Sequence, residues 1–196
     1  MKIGVDVDEV LTKFIDTYLA FYNKTHSTAW KREDIRTYRF HDDLGISRKE
    51  DSESIAVFGK TNDYIDMPLV EGAVEGILEL RKKNDLYIIT GRPLERKKIV
   101  ESLINKDFCG CFKDIKYTDF SAEKGHAIPK YKFCKELGIE LMIEDLQDSA
   151  LEIYKECNIP VIVPKYPWND RANFAGTKCV HVDGWEGILE EAHKYF

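Results

Sequence analysis

The sequence predicts an α/β protein built on a parallel sheet, and three observations support this prediction. Its strand candidates are short apolar runs, without the alternation of apolar and polar residues that marks a half-exposed strand. Segments with helical spacing separate these runs along most of the chain, as expected for parallel strands joined by helical crossovers. The 196 residues suffice for one core, or for one core with an insertion.

Six strands and six longer helices follow from this pattern. The predicted strands are residues 2–7, 86–90, 114–117, 140–143, 159–163 and 178–182. The predicted helices are residues 11–24, 72–83, 93–105, 130–137, 149–157 and 185–194. Residues 25–68 are polar and charged with scattered aromatic side chains, and we expect short helices there rather than strands.

The composition argues against several classes of protein. The formal net charge is -6 and no basic stripe is present, so a nucleic acid polymer is not the expected partner, although a small phosphorylated ligand is compatible. No apolar run approaches the ~20 residues of a membrane span. The five cysteines lack the spacing of a metal site and indicate reduced thiols in a cytoplasmic protein.

The residues that come directly after the predicted strands carry most of the chemistry. Asp6 and Asp8 follow the first strand, Thr90 ends the second, and Glu144 and Asp145 follow the fourth. In a parallel α/β sheet, ligands bind outside the carboxyl ends of the strands. Asp6 and Asp8 lie two residues apart, so in extended backbone both side chains leave on the same side. We therefore expect several carboxylates to converge with Asp145.

Converging carboxylates indicate a hard cation, because unpaired like charges in a core are costly. Mg²⁺ is the natural choice, since it binds carboxylate oxygens and keeps positions for water and substrate phosphate. Each part also has a plainer interpretation. Asp6 and Asp8 could form a solvated turn, and Glu144-Asp145 could cap a helix. Their joint position after apolar strands favours the metal site.

Four features, in their order along the chain, resemble the motifs of the haloacid dehalogenase (HAD) superfamily of phosphatases. They are Asp6-Val-Asp8-Glu9, Thr90, a lysine upstream of the fourth strand, and Glu144-Asp145 with Asp148. Residues 64–74, 166–169 and 182–189 narrow the resemblance to the 5′(3′)-deoxyribonucleotidase family. The implied fold is a Rossmann-like three-layer parallel sheet with a small helical cap inserted after the first strand.

The resemblance implies roles for the acidic residues. Asp6 is the nucleophile that becomes an aspartyl-phosphate, and Asp8 is the general acid for the leaving alcohol and then the base for water. Mg²⁺ is held by the Asp6 carboxylate, the backbone carbonyl of Asp8 and the carboxylate of Asp145, with Glu144 or Asp148 in support.

The resemblance also implies a binding site for the phosphate. The Thr90 hydroxyl and nearby backbone N–H groups, Gly91 included, are expected to hold phosphoryl oxygens, and Arg92 is expected to add positive charge. We choose Lys130 as the lysine that neutralises the nucleophile and the phosphate as a point charge. The alternatives for this lysine are Lys124 and Lys132.

The cap is the part expected to select the substrate. The implied division gives a catalytic core of residues 1–12 and 71–196 and a helical cap of residues 13–70. Aromatic side chains of the cap could stack on a nucleobase or form the interior of the cap itself. These aromatic residues are Phe14, Trp30, Tyr38, Phe40 and Tyr64.

The sequence thus predicts a Mg²⁺-dependent phosphomonoesterase, in the first place a 5′-nucleotidase acting on (deoxy)ribonucleoside monophosphates. The alternatives are the same chemistry on another small phosphate, such as a sugar phosphate, and a non-catalytic module that binds Mg²⁺ or phosphate. Three positions depart from the family pattern. Glu9 replaces a small residue, Gly91-Arg92 replaces the Ser-Pro of mammalian-type enzymes, and Glu144 replaces the commoner Asp or Gly.

Overall fold

The computed structural model describes residues 1–37, 39–119, 128–169 and 174–196 of the chain. Its six strands form one parallel sheet in the order β3-β2-β1-β4-β5-β6, so the predicted α/β class is confirmed. The strands are β1 (Lys2–Val5), β2 (Asp85–Thr90), β3 (Phe112–Tyr117), β4 (Leu141–Ile143), β5 (Val161–Pro164) and β6 (Cys179–Val182).

Helices cover both faces of this sheet and fill the segment between β1 and β2. They are α1 (Phe14–His26), α2 (Phe40–Leu44), α3 (Arg48–Phe58), α4 (Asn62–Ile65), α5 (Ala73–Leu80), α6 (Lys97–Asp107), α7 (Lys130–Leu137), α8 (Gln147–Cys157) and α9 (Gly184–Ala192). Short 3₁₀ turns occupy Arg32–Asp34 and Leu94–Arg96. None of the helices in the described ranges is long and apolar enough to cross a membrane.

Most predicted elements differ from the structure by a few residues at their ends, and two of these differences have a clear local cause. The first strand stops at Val5 rather than at residue 7, because the chain turns there and the amides of Leu11 and Thr12 both donate to the Val7 carbonyl. The helix predicted to start at Pro93 begins only after a 3₁₀ turn, since Pro93 itself has an extended ψ of 151°. Both differences lie where the chain passes the carboxyl end of a strand.

The side chains of the sheet enter two apolar clusters, one on each face. Ile3, Val5 and Ile88 pack with α5, α6 and α9, whereas Met142 and Val163 pack with α7 and α8. Both faces are therefore buried near the middle of the sheet, which explains why β4 and β5 are apolar throughout, whereas the edge strand β3 carries charged residues. The result is the predicted three-layer arrangement.

Helices α1–α4, here called the inserted helices, have an apolar cluster of their own. Its centre is a group of aromatic rings 4.9–6.1 Å apart, formed by Phe14, Tyr18, Phe40, Phe58 and Tyr64. Trp168, which follows β5, also belongs to this cluster and joins it to the sheet. The division into a core and a cap at residues 13 and 70 stays a prediction.

Gly76 allows α5 to pack directly on α9. A Cβ atom at this position would lie 2.1 Å from Cε3 of Trp185, whose buried indole donates to the Val10 carbonyl. We expect Gly76→Ala to lower the free energy of unfolding by about 1–3 kcal/mol through overpacking, despite the higher helix propensity of alanine. Urea titration would measure this loss.

The control is Glu75→Ala on the exposed face of the same helix, which should leave the urea midpoint unchanged. An alanine variant at position 76 that is as stable as the wild type would contradict the packing argument.

Candidate active site

Three carboxylates meet at the carboxyl ends of β1 and β4, which are neighbours in the sheet. Asp6, Glu144 and Asp145 each offer an oxygen within 4.8 Å of the others, and all three side chains are buried. The backbone places them there, because the Asp6 amide still donates to the Ile143 carbonyl just beyond β1. We call these three residues the acidic cluster; they are a subset of the predicted metal ligands.

Lys130, the lysine chosen from the sequence, lies at the acidic cluster. At the first residue of α7, its Nζ is 2.9 Å from Asp6 Oδ1 and 2.6 Å from Glu144 Oε2, with 11% of the side chain exposed. Burial opposes its charge, but the two carboxylates outweigh burial and raise the pKa of Lys130. Of the alternatives, Lys132 is exposed and Lys124 lies outside the described residues.

The single positive charge of Lys130 does not neutralise the three carboxylates of the acidic cluster. Burial raises the pKa of Asp6 to about 7, against the opposing effect of Lys130, and burial followed by the charge of Glu144 raises that of Asp145 well above its ordinary value. Asp6 Oδ1 is buried and accepts no hydrogen bond of good geometry from the described part of the chain. An all-oxygen donor set with surplus negative charge fits Mg²⁺.

The members of the acidic cluster differ in how much of each carboxylate is already bound. Glu144 receives Lys130 on one oxygen and the Leu146 amide on the other, at 3.1 Å, so its charge is largely used within the protein. Asp145 accepts from Trp168 Nε1 on one oxygen at 3.0 Å. Asp148 is exposed in the first turn of α8 and is not part of the cluster.

The Asp8 side chain is held apart from the acidic cluster. Its carboxylate pairs with Arg92, whose Nη2 lies 2.7 Å from Oδ1, and Thr12 Oγ1 lies 3.2 Å from the same oxygen. The predicted ligand set places Asp8 on the metal through its backbone carbonyl, and this arrangement leaves its carboxyl group for proton transfer.

The predicted phosphate-binding residues follow β2 directly. Thr90 is fully buried, and its hydroxyl accepts the Arg92 amide at 3.2 Å, which tightens the turn through Gly91. The Arg92 side chain does not extend freely toward a ligand, because it is bound to Asp8.

An ion pair that could not be predicted from the sequence connects the inserted helices to the loop that follows β1. Glu9 is fully buried and has a positive φ of 59°. Its carboxylate accepts the Ile15 amide at 2.6 Å and pairs with Arg32 Nη1 at 2.6 Å, while Arg32 also binds Asp16. Burial raises the pKa of Glu9 to about 7, and Arg32 opposes this shift. The departure at Glu9 was the one sequence signal of this contact, and nothing pointed to Arg32.

Arg32 of this ion pair also packs against two stacked aromatic rings from the segment after β5. The Arg32 guanidinium carbon lies 5.1 Å from the Tyr166 ring centroid and 5.8 Å from that of Trp168, and the two rings stack at 4.6 Å. Tyr166 donates to the Glu9 carbonyl, and Trp168 to Asp145. The segment after β5, which entered the sequence analysis only through the family resemblance of residues 166–169, therefore contacts the site.

The predicted cap aromatics are placed mainly in the interior of the inserted helices. Phe14 and Phe40 pack in the aromatic group, and Trp30 is half-buried against it. Tyr64 also belongs to this group, but its ring centroid lies 5.0 Å from the Arg92 guanidinium carbon, next to the site. Tyr38 lies outside the described residues.

Comparison with known proteins agrees with this geometry. Residues 1–108 match the family described as 5′ nucleotidase, deoxy (pyrimidine), cytosolic type C protein. The chain belongs to this nucleotidase family of the HAD superfamily. It is accordingly a phosphoric monoester hydrolase, and the resemblance stated from the sequence is confirmed.

Individual relatives are distant in sequence and similar in fold. A Bacillus subtilis (strain 168) protein named as a candidate nucleotidase, YqfW, is 24% identical over 191 residues, which cover 94% of this chain and 90% of that protein. A haloacid dehalogenase-like hydrolase from Streptococcus pneumoniae superposes with a TM-score of 0.71 at 15% identity, covering 100% and 97% of the two chains. The B. subtilis protein YfnB, solved bound to magnesium, has a TM-score of 0.62 at 14% identity and 97% coverage of both chains.

The buried ion pair between Glu9 and Arg32 predicts a pH-dependent loss of stability when Arg32 is removed. At pH 8, where Glu9 is ionised, Arg32→Gln should lower the free energy of unfolding by about 3 kcal/mol, because a buried carboxylate loses its partner. The Arg32 charge favours ionised Glu9, so the pKa of Glu9 is lower in the wild type than in Arg32→Gln. The loss should therefore be larger at pH 8 than at pH 5, and it should grow as the pH rises through about 7. Urea titrations at these pH values measure it.

The matched double variant Glu9→Gln/Arg32→Gln should be more stable at pH 8 than Arg32→Gln alone, since no buried charge is left unpaired. Arg36→Gln, an exposed arginine of the same segment, serves as the control. An Arg32→Gln loss that does not change with pH would show that Glu9 is not the partner that matters.

Proposed function

We propose that the chain is a Mg²⁺-dependent 5′-nucleotidase that hydrolyses (deoxy)ribonucleoside monophosphates through an aspartyl-phosphate on Asp6. The observation that carries this proposal is the buried acidic cluster with Lys130 at the carboxyl ends of β1 and β4. The family match supports a nucleotide as the substrate. The five free cysteines are consistent with the reducing cytoplasm, which we propose as its compartment.

The residues present divide the reaction between them. Asp6 attacks phosphorus, so that an oxygen–phosphorus bond forms as the ester bond breaks, and Asp8 gives a proton to the leaving oxygen. Water then hydrolyses the aspartyl-phosphate after giving a proton to Asp8, which restores both aspartates. Lys130 offsets the negative charge of Asp6 and of the incoming phosphate, and the Thr90 hydroxyl with the backbone N–H groups after it holds phosphoryl oxygens.

Asp6, Asp145 and the backbone carbonyl of Asp8 would hold Mg²⁺, with Glu144 supporting the site through its bond to Lys130. When bound, the ion neutralises charge on the phosphate, which is the main requirement of phosphoryl transfer. We assign the inserted helices to a cap over residues 13–70 that excludes water and contacts the leaving group. Within this cap, the ring of Tyr64 lies 5.0 Å from the Arg92 guanidinium carbon and is therefore placed next to the site.

The nucleophile can be tested by phosphate release over a panel of nucleoside monophosphates and sugar phosphates. We expect turnover of nucleotides that is abolished by a chelator and restored by Mg²⁺, and a loss of at least about 1,000-fold in Asp6→Asn, because covalent catalysis has no substitute group there. Phosphate release that persists in Asp6→Asn would exclude the covalent route. Turnover restricted to sugar phosphates would exclude nucleotides as the substrate but would remain compatible with the aspartyl-phosphate mechanism.

The metal ligands can be tested without activity. Mg²⁺ that binds only the folded protein raises its thermal midpoint. We expect Asp145→Asn to abolish this shift and the exposed Asp148→Asn to retain it, with activity within about 3-fold of the wild type, as is usual for a surface substitution. A Mg²⁺ shift lost in Asp148→Asn would restore this residue to the ligand set.

A further inference from the structure

Arg92 is a buried cation at the site that the proposed reaction does not use, and two of its three guanidinium nitrogens bind Asp8, while Nη1 has no hydrogen-bond partner among the described residues. Its Nε lies 3.2 and 3.1 Å from the two Asp8 carboxylate oxygens, and its Nη2 lies 2.7 Å from Oδ1. We propose that Arg92 is a positioning residue that fixes the Asp8 carboxyl group for proton transfer to the leaving group, and not a ligand of the phosphate. This inference rests on the proposed function, which gives Asp8 its role as the acid.

The surroundings of Arg92 hold it in one place. The side chain is 3% exposed, and the face of Tyr64 covers the guanidinium group. Nη2 also contacts Thr12 Oγ1 at 3.2 Å and Met67 Sδ at 3.7 Å, and the backbone amide is bound by Thr90. A guanidinium group fixed by a hydroxyl, a thioether and a ring orients whatever carboxylate it binds.

The two Asp8 oxygens are not equivalent in this arrangement. Oδ1 is within 3.2 Å of three donors, which are Arg92 Nε, Arg92 Nη2 and the Thr12 hydroxyl. Oδ2 contacts Arg92 Nε alone among the described hydrogen-bond donors. The geometry therefore leaves Oδ2 as the oxygen that carries the transferable proton.

The proton transfer that Arg92 supports involves only Asp8, Asp6 and the substrate ester. The proton leaves Asp8 Oδ2 for the ester oxygen, which also takes the electron pair of the breaking phosphorus–oxygen bond, while Asp6 forms the new bond to phosphorus. Asp8 is then a carboxylate, and the guanidinium group beside it stabilises this product through charge-assisted hydrogen bonds. Arg92 acts through Asp8, and it forms and breaks no bond in this step.

A comparison of two leaving groups tests this role. A nucleoside 5′-monophosphate releases an alcohol that must be protonated, whereas p-nitrophenyl phosphate releases a phenolate that needs no proton. The measured quantity is kcat/KM, because it reports only the steps up to departure of the leaving group and so excludes the later hydrolysis of the aspartyl-phosphate. The variants are Arg92→Gln, Arg92→Lys and Asp8→Asn.

We expect Arg92→Gln to lower kcat/KM for the nucleotide about 100-fold or more and for p-nitrophenyl phosphate less than about 10-fold, since general acid catalysis contributes about 10²–10⁴-fold. Asp8→Asn should show the same selective loss, and Arg92→Gln added to it should cost little more, because the two residues act as a unit. Arg92→Lys keeps the charge and should recover part of the nucleotide activity.

Arg96→Gln is the matched control. Arg96 also faces the Tyr64 ring, at 5.4 Å, but binds the carbonyl groups of Gly59 and Ala56 and not Asp8. It should leave the ratio of the two kcat/KM values unchanged. Circular dichroism and thermal unfolding confirm that each variant is folded.

Equal losses of kcat/KM on the two substrates in folded Arg92→Gln would overturn the inference. Arg92 would then be assigned to phosphate binding. A wild-type protein that turns over no nucleotide but cleaves a sugar phosphate would refute only the proposed substrate, and the same ratio would then be measured with that alkyl ester. A protein that cleaves p-nitrophenyl phosphate and no alkyl phosphate would overturn both, because Asp8 would have no alcohol to protonate.

Discussion

Negative charge buried at the ends of β1 and β4 is the constraint on which the rest of the site depends. Asp6, Glu144 and Asp145 are all nearly inaccessible to water, where an unpaired carboxylate is strongly disfavoured. Lys130 is therefore drawn between Asp6 and Glu144, and α7 begins at the residue that reaches them. The negative charge that remains fits a cation at this position.

The same constraint explains how the inserted helices are attached to the sheet. Arg32 comes from the segment between α1 and α2, yet it pairs with the buried Glu9, which directly follows Asp8. Its guanidinium group also packs on the Tyr166–Trp168 stack, and Trp168 binds Asp145. The inserted helices are thus fixed through the loop after β1 and the segment after β5, both of which contact the acidic residues. A shift of these helices would disturb the site itself.

Apolar strands and the residues after them could be predicted because their signals are local. A strand buried on both faces shows an unbroken apolar run. Lys130 was chosen through the resemblance, which implies a lysine upstream of β4. Arg32 could not be found in this way, since it lies 23 residues from Glu9, beyond α1, in a short 3₁₀ turn that shows no periodic pattern in the sequence. The Arg92 side chain was predicted on the phosphate, yet it binds Asp8. The spacing of residues in the sequence does not show in which direction a side chain points after a turn.

The order of the sheet explains how two aspartates so close in sequence can acquire different tasks. After β1 the chain adds β2 and β3 on one side of the sheet and then returns to add β4, β5 and β6 on the other side of β1. In α/β sheets a crevice opens between two strands at which the order of addition reverses, here β1 and β4. Asp6 lies on that side and shares its surroundings with Glu144, Asp145 and Lys130. Asp8 lies two residues further on, past the end of β1, and is bound by Arg92 from the β2 side. Each aspartate thus has a different cationic partner, Lys130 at the start of α7 for Asp6 and Arg92 after β2 for Asp8. These partners suit the tasks that the proposed reaction gives the two residues, nucleophile for Asp6 and acid for Asp8.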